Sequence, residues 1–155
     1  MTAMIGCLPC ELEDSAAGAV LFRDERWSCE VAAGYEVPGW YILRVRRHAE
    51  GWNELTADEL AEFGGRCAQL SAAIKKALAV EFVYFMSFGE NFSHFHFLVI
   101  PRGGDIPPES RGAGILKLRD ALRDMPAALA SLQHVRAALD LPPAGAVSPP
   151  SPASS

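Results

Sequence analysis

Ser93-His94-Phe95-His96-Phe97-Leu98-Val99-Ile100-Pro101-Arg102 places two histidines two residues apart at the head of an apolar run. In an extended strand, successive side chains leave opposite faces, so His94, His96, Leu98 and Ile100 share one face and Phe95, Phe97 and Val99 the other. Each imidazole among large apolar residues needs a partner, because an unpaired buried polar group costs free energy. The pair therefore points to coordination or to chemistry. Pro101 is expected to end the strand.

Outward from this stretch, Glu81 to Phe88 reads as the strand before it, joined by a turn at Gly89-Glu90-Asn91. Further upstream, Thr56-Ala57-Asp58-Glu59 has the capping-box spacing, in which the Thr hydroxyl and Glu carboxylate satisfy backbone donors at a helix start. Leu60, Phe63, Cys67, Leu70, Ile74 and Leu78 then recur at helical spacing, and Lys75 and Lys76 fall near the end, where the helix dipole favours cations. One long helix, Thr56 to Ala79, is predicted.

Val20 to Glu25 and Trp27 to Ala32 read as a hairpin. A turn at Val37-Pro38-Gly39 leads into a third strand, Trp40 to Arg46, rich in branched and aromatic residues. After Arg102 comes a Gly- and Pro-rich loop. Helical spacing resumes at Ile115, Leu116, Leu118, Leu122 and Met125, and a last short helix is predicted over Ala127 to Leu139. These elements predict an α+β class: an antiparallel sheet of about five strands, one long helix and C-terminal helices. A single domain is expected over residues 1–140. Residues 141–155, almost all Pro, Ala, Ser and Gly, are expected to form a disordered tail, since they bury too little to offset their ordering entropy.

The chain has 155 residues, 50% hydrophobic and 21% charged. No apolar run approaches the roughly 20 residues of a membrane helix. A net charge of −5 and a pI near 5.3 argue against broad binding to nucleic acid, which needs a basic surface to displace phosphate counterions. Met1 to Leu8 has no basic region and is followed at once by Glu11, Glu13 and Asp14, so a cytoplasmic protein is expected. There the four cysteines are expected to be reduced or metal-bound. Cys29 falls in a strand and Cys67 on a helix stripe, so both read as core. His134, alone in the last helix, reads as surface, and alternation sends Arg44 and Arg46 to a solvent face.

Cys7-Leu8-Pro9-Cys10 has a gap that fits zinc, redox chemistry or chance. With His48 and His94 it can complete a tetrahedral Cys2His2 set of the ligands zinc prefers.

The run from His94 to Arg102 resembles the histidine-triad motif, His-x-His-x-His followed by two apolar residues and often Pro-Arg, with Leu98 in place of the third histidine. Tyr35 to Leu43 resembles the same superfamily's Pro-Gly-His-Leu-Val strand, and Arg46-Arg47-His48 its basic segment ending in His. The resemblance runs in order from Cys7 to Arg102. It implies an antiparallel α+β fold, a homodimer, and transfer or hydrolysis of nucleotidyl groups through a nucleotidyl-histidine intermediate on a small nucleotide substrate. It implies His96 as the catalytic nucleophile. In the zinc-bearing branches, which include the galactose-1-phosphate uridylyltransferases, it implies a structural zinc at the positions of Cys7, Cys10, His48 and His94.

The departures open a second expectation. Leu98 stands where the family has a His or Gln that donates toward phosphoryl oxygens, and Leu has no donor. Trp40 replaces a further His, and Glu90 and Asn91 stand at phosphate-contacting positions, where only the Asn amide can donate. Asn91 and Arg102 are the candidate substrate-binding residues. The alternative is a catalytically weak or inactive, zinc-stabilised module that binds a nucleotide or a protein.

Overall fold

A computed structural model of the chain describes residues 6–139. The expected tail, 141–155, lies outside the described residues. Five strands, β1 (Val20–Arg23), β2 (Trp27–Glu30), β3 (Tyr41–Val45), β4 (Phe82–Met86) and β5 (His96–Arg102), form one sheet in the order β1-β2-β3-β5-β4. Every neighbouring pair is antiparallel. Among the described residues four α-helices accompany it: α1 (Leu8–Glu11), α2 (Ala57–Leu78), α3 (Arg119–Leu122) and α4 (Met125–Ala138). The α+β architecture follows the expectation, as do the hairpin and the long helix.

The capping box of α2 forms as its sequence requires, with Thr56 Oγ1 accepting from the Glu59 N–H and the Glu59 carboxylate accepting from the Thr56 N–H. The helix ends on Ala79 in the left-handed conformation, φ 52°. Leu70, Ala73 and Ile74 are buried against the sheet, with Phe63, Cys67 and Leu78 partly so. Leu60, at the head of the predicted stripe, is exposed.

The two sheet faces build two apolar clusters. Phe95 and Val99 pack with Tyr41, Leu43, Val45, Trp27 and the inner faces of α2 and α4. On the other face Leu98 and Ile100 pack with Trp40, Ile42, Leu12 and Ile115. Trp27, fully buried, donates from Nε1 to the Glu59 carbonyl in the first turn of α2 and packs its ring 4.9 Å from that of Phe63.

Two strand boundaries differ from expectation. Pro101 does not end β5: the strand runs through it to Arg102, pairing Pro101 with Val83 of β4. By then β5 has passed its last partner in β3, where Tyr41 faces Val99, and with β4 as its only neighbour such a position tolerates the missing N–H. At the other end, regular pairing begins at His96, and the Phe92–Phe95 segment contributes only a bridge between Glu50 and His94. Gly39, φ 85°, is required by close approach as well as by its turn, since a Cβ there would lie 2.6 Å from Pro101 Cγ.

The largest correction concerns Arg44. Alternation alone sends it to solvent, but it is fully buried. The segment after α1 crosses that face and brings Glu13 to it. Arg44 holds Glu30 through two nitrogens, at 2.7 and 3.1 Å, and reaches Glu13 at 3.0 Å. Arg46 binds both oxygens of Glu13 at 3.1 Å, and Arg23 reaches Glu30 at 2.8 Å. Buried charges survive only when paired and hydrogen-bonded in this way.

Candidate functional site

The four proposed donors converge. Sγ of Cys7 and Cys10 and Nδ1 of His48 and His94 lie within 4.8 Å of one another. Cys7 is the N-cap of α1 and Cys10 lies within it, while Pro9 occupies the first turn and so spares the helix an N–H that would have no partner. His48 follows β3 and His94 precedes β5. Ala49 accepts from the Phe95 N–H at 2.7 Å and Glu50 bridges His94, which holds the two segments together beyond the β3–β5 pairing, and the two rings lie 5.0 Å apart.

The geometry suits a tetrahedral ion. Sulfur at about 2.3 Å and nitrogen at about 2.05 Å from one tetrahedral centre lie about 3.6 Å apart. The four sulfur–nitrogen separations are 3.7 and 3.5 Å from Cys7 and 3.3 and 3.3 Å from Cys10. Both histidines turn Nδ1 inward because Nε2 is engaged outside: that of His94 donates to the Val45 carbonyl at 2.6 Å, and that of His48 to Glu50 at 3.0 Å. Ser93 donates to the same Glu50 oxygen at 2.8 Å. Such outer partners set the tautomer and orient a ligating ring.

Charge completes the fit. Burial pulls the His94 imidazole down to about 4, so the ring is neutral and its Nδ1 lone pair faces the thiols. Burial likewise pushes the Cys7 thiol up to about 11. A dication is the charge that reverses that cost by favouring thiolate. The donor set therefore forms a possible metal site.

Two residues along, His96 is half-buried in a cleft of about 290 Å³. Its Nδ1–H donates to the His94 carbonyl at 2.6 Å, which in the neutral ring leaves Nε2 as the unprotonated nitrogen. The Ser87 hydroxyl donates to the His96 carbonyl at 2.6 Å, fixing the strand beneath it. The cleft is lined by Tyr35, Ile42, Met86, Phe88, Phe92, Leu98 and Leu116, with Glu90 and Asn91 from the turn after β4, and by Leu8 and Pro9. Among the described residues that line it there is no lysine or arginine.

The sequence-predicted residues thus divide. His96, Asn91, Glu90 and Leu98 share the cleft. Arg102 does not line it: it closes the far end of β5, is buried, and stacks on the Phe82 ring at 4.3 Å. Trp40 is likewise buried in the second cluster and is not among the lining residues. Cys29 is buried core and Cys67 packs against it, as expected, and His134 is exposed. Sequence reasoning missed Leu8, Pro9, Tyr35 and Leu116 as cleft residues and Glu50 as the partner of His48. The spacing His48-Ala49-Glu50 was the one available signal.

No protein-family model and no curated protein matches the chain. Solved structures do. A hypothetical histidine triad nucleotide-binding protein from Sulfolobus tokodaii is 18% identical, with 86% of this chain and 92% of that one covered at a TM-score of 0.67. A zinc-bound histidine triad family protein from Mycobacterium smegmatis is 18% identical, with 87% and 94% covered at a TM-score of 0.61. A diadenosine triphosphate hydrolase from Plasmodium falciparum, solved with cyclomarin A, is 12% identical, with 79% and 77% covered at a TM-score of 0.57. At such identities the likeness speaks for the fold, and the five-stranded antiparallel sheet with its helices agrees with it: the chain has the histidine-triad fold.

Proposed function

We propose that the protein is a nucleotidyl hydrolase or transferase in which His96 attacks the α-phosphorus of a nucleoside phosphate ester, anhydride or phosphoramidate. The observation that carries this reading is the hydrogen bond from His96 Nδ1–H to the His94 carbonyl, which leaves Nε2 as a nucleophile on the wall of a cleft. Attack forms the Nε2–P bond while the bond to the leaving group breaks and that group departs with a proton. Water, or a second acceptor, then displaces the imidazole and the N–P bond breaks, so one difficult displacement becomes two easier ones. The Asn91 amide is the donor the cleft offers to phosphoryl oxygens.

Cys7, Cys10, His48 and His94 are the residues that would hold zinc. Four protein donors leave no open position for water, so the chemistry the ion supplies there is structural: it cross-links three segments of the chain. The reading carries with it the homodimer and the cytoplasmic setting expected from the sequence.

A second reading rests on Leu98, which lines the cleft beside His96 without a hydrogen-bond donor. Loss of one preorganised donor to a transition-state oxyanion costs about 100- to 1000-fold in rate, and the described residues that line the cleft include no lysine or arginine to offset it. Here the protein is a zinc-stabilised module that binds a nucleotide or a protein without turning it over.

One panel separates the two readings. Purified protein is incubated with nucleoside phosphoramidates, dinucleoside polyphosphates and nucleotide sugars, and release of nucleoside monophosphate is followed beside a His96→Ala control. Release by the parent alone supports the enzyme. Silence across the panel, or release that survives His96→Ala, overturns it.

A further inference from the structure

The residues between the two cysteines belong to a different site from the cysteines themselves. Cys7 and Cys10 point into the donor cluster, while Leu8 and Pro9 line the His96 cleft. The same short helix therefore presents one side to the metal site and another to the substrate site. A second link runs through His94, whose ring belongs to the cluster and whose carbonyl holds His96 Nδ1 at 2.6 Å. The segment is anchored again downstream. Leu12 and Glu13 accept from Arg23 through their carbonyls at 2.9 and 3.1 Å, and the Glu13 carboxylate is gripped by Arg44 and Arg46.

We propose that Leu8 and Pro9 are substrate-binding residues positioned by the metal site, so that metal at Cys7, Cys10, His48 and His94 sets the shape of the nucleotide cleft and the orientation of His96. This rests on the nucleotide reading of the cleft given above. The physical ground is the tether. A helix of four residues is too short to be stable by itself. Upstream of Leu12 it is placed by the packing of Leu8 on the second apolar cluster and by what holds the two sulfurs, and without a cation two buried thiols and two imidazoles hold each other only weakly. With the cation, α1 is pinned at both ends and the wall it forms is rigid.

The inference is tested by binding, not by turnover. Zinc-loaded and chelator-stripped protein are titrated with a series of nucleoside monophosphates by calorimetry, with circular dichroism confirming that the fold survives stripping. Stripping is expected to weaken binding about tenfold or more, a loss of about 1.4 kcal/mol. Leu8→Ala in the zinc-loaded protein is expected to weaken binding severalfold with metal content unchanged. If stripping unfolds the chain, cobalt-loaded protein serves instead. Coupling between sites is reciprocal, so nucleoside monophosphate must tighten cobalt binding, read from the visible bands in competition with a chelator, and Leu8→Ala must diminish the effect. Equal affinity of stripped and loaded protein overturns the inference while leaving the nucleotide reading intact, as does a cobalt affinity indifferent to nucleotide or full affinity in Leu8→Ala. Failure of every form to bind any nucleoside monophosphate defeats the nucleotide reading itself, and the inference with it.

Discussion

His94 and His96 are two residues apart, the first bridged to Glu50 just before β5 and the second opening that strand, yet they occupy opposite kinds of environment. His94 is 1% exposed, its ring held by the Val45 carbonyl on one nitrogen and facing two thiols on the other. His96 stands half-open in an apolar cleft with one nitrogen held by a carbonyl. Alternation makes them neighbours; the segment 7–14 makes them different, because it covers the first and only flanks the second. The lesson is that two imidazoles so close in the chain differ in burial and partners when a covering segment ends between them.

Substitutions that strike one histidine and spare the other break this comparison most sharply. His96→Ala is expected to lower kcat on the order of 10⁴-fold, as removal of a covalent nucleophile does, while mass spectrometry finds the metal content of the parent and melting is unchanged. Cys10→Ala is the reciprocal case. It is expected to remove the metal and lower the melting temperature by about 10 °C or more, and retention of both would disprove the donor assignment.

The remaining predictions probe the anchor of the covering segment. Arg44→Met leaves Glu30 buried with one of its two arginines and should cost about 3 to 5 kcal/mol in denaturant unfolding. A loss under about 1 kcal/mol would show that the buried network contributes little. Glu13 offers a pH signature. Burial would raise its carboxyl, but hydrogen bonds from Arg46 and Arg44 outweigh burial and hold it at about 2, below its ordinary 4.5. A depressed folded pKa contributes stability above the unfolded value, lost as pH falls through the folded one. Melting temperature should therefore fall between about pH 4.5 and pH 2, and less steeply in Glu13→Gln. The smallest effect expected is a gain: Leu98→Gln brings an amide donor beside His96 and should raise kcat about tenfold, short of what a fully preorganised donor contributes. An unchanged or lower rate would mean that position 98 does not face the developing charge.

Much of this was legible in the chain. The helix α2 announces itself by a capping box and a recurring apolar stripe, both local signals that need no tertiary information. The hairpin, the turn at Gly39 and the paired histidines are equally local. The Cys-x-x-Cys spacing and the ordered run from His48 to His94 pointed to the donor cluster, which the fold then assembles. Arg44 was misread because alternation says which face a residue takes but not what covers that face. Arg44 meets Glu13 from a segment far away in sequence, and Arg102 is buried at the end of the strand away from the cleft.

The amino-acid sequence by itself determined which elements form, because helix caps, turn residues and the two periodicities act over a few residues. It also determined the chemical inventory, two thiols and three imidazoles in segments that a sheet can bring together. Only the tertiary structure decided that Leu8 and Pro9 wall the cleft and that Arg44 is buried with two carboxylates. Each of these depends on segments distant in the chain meeting on one face of the sheet, and on how deeply each is covered once they meet, which no local pattern encodes.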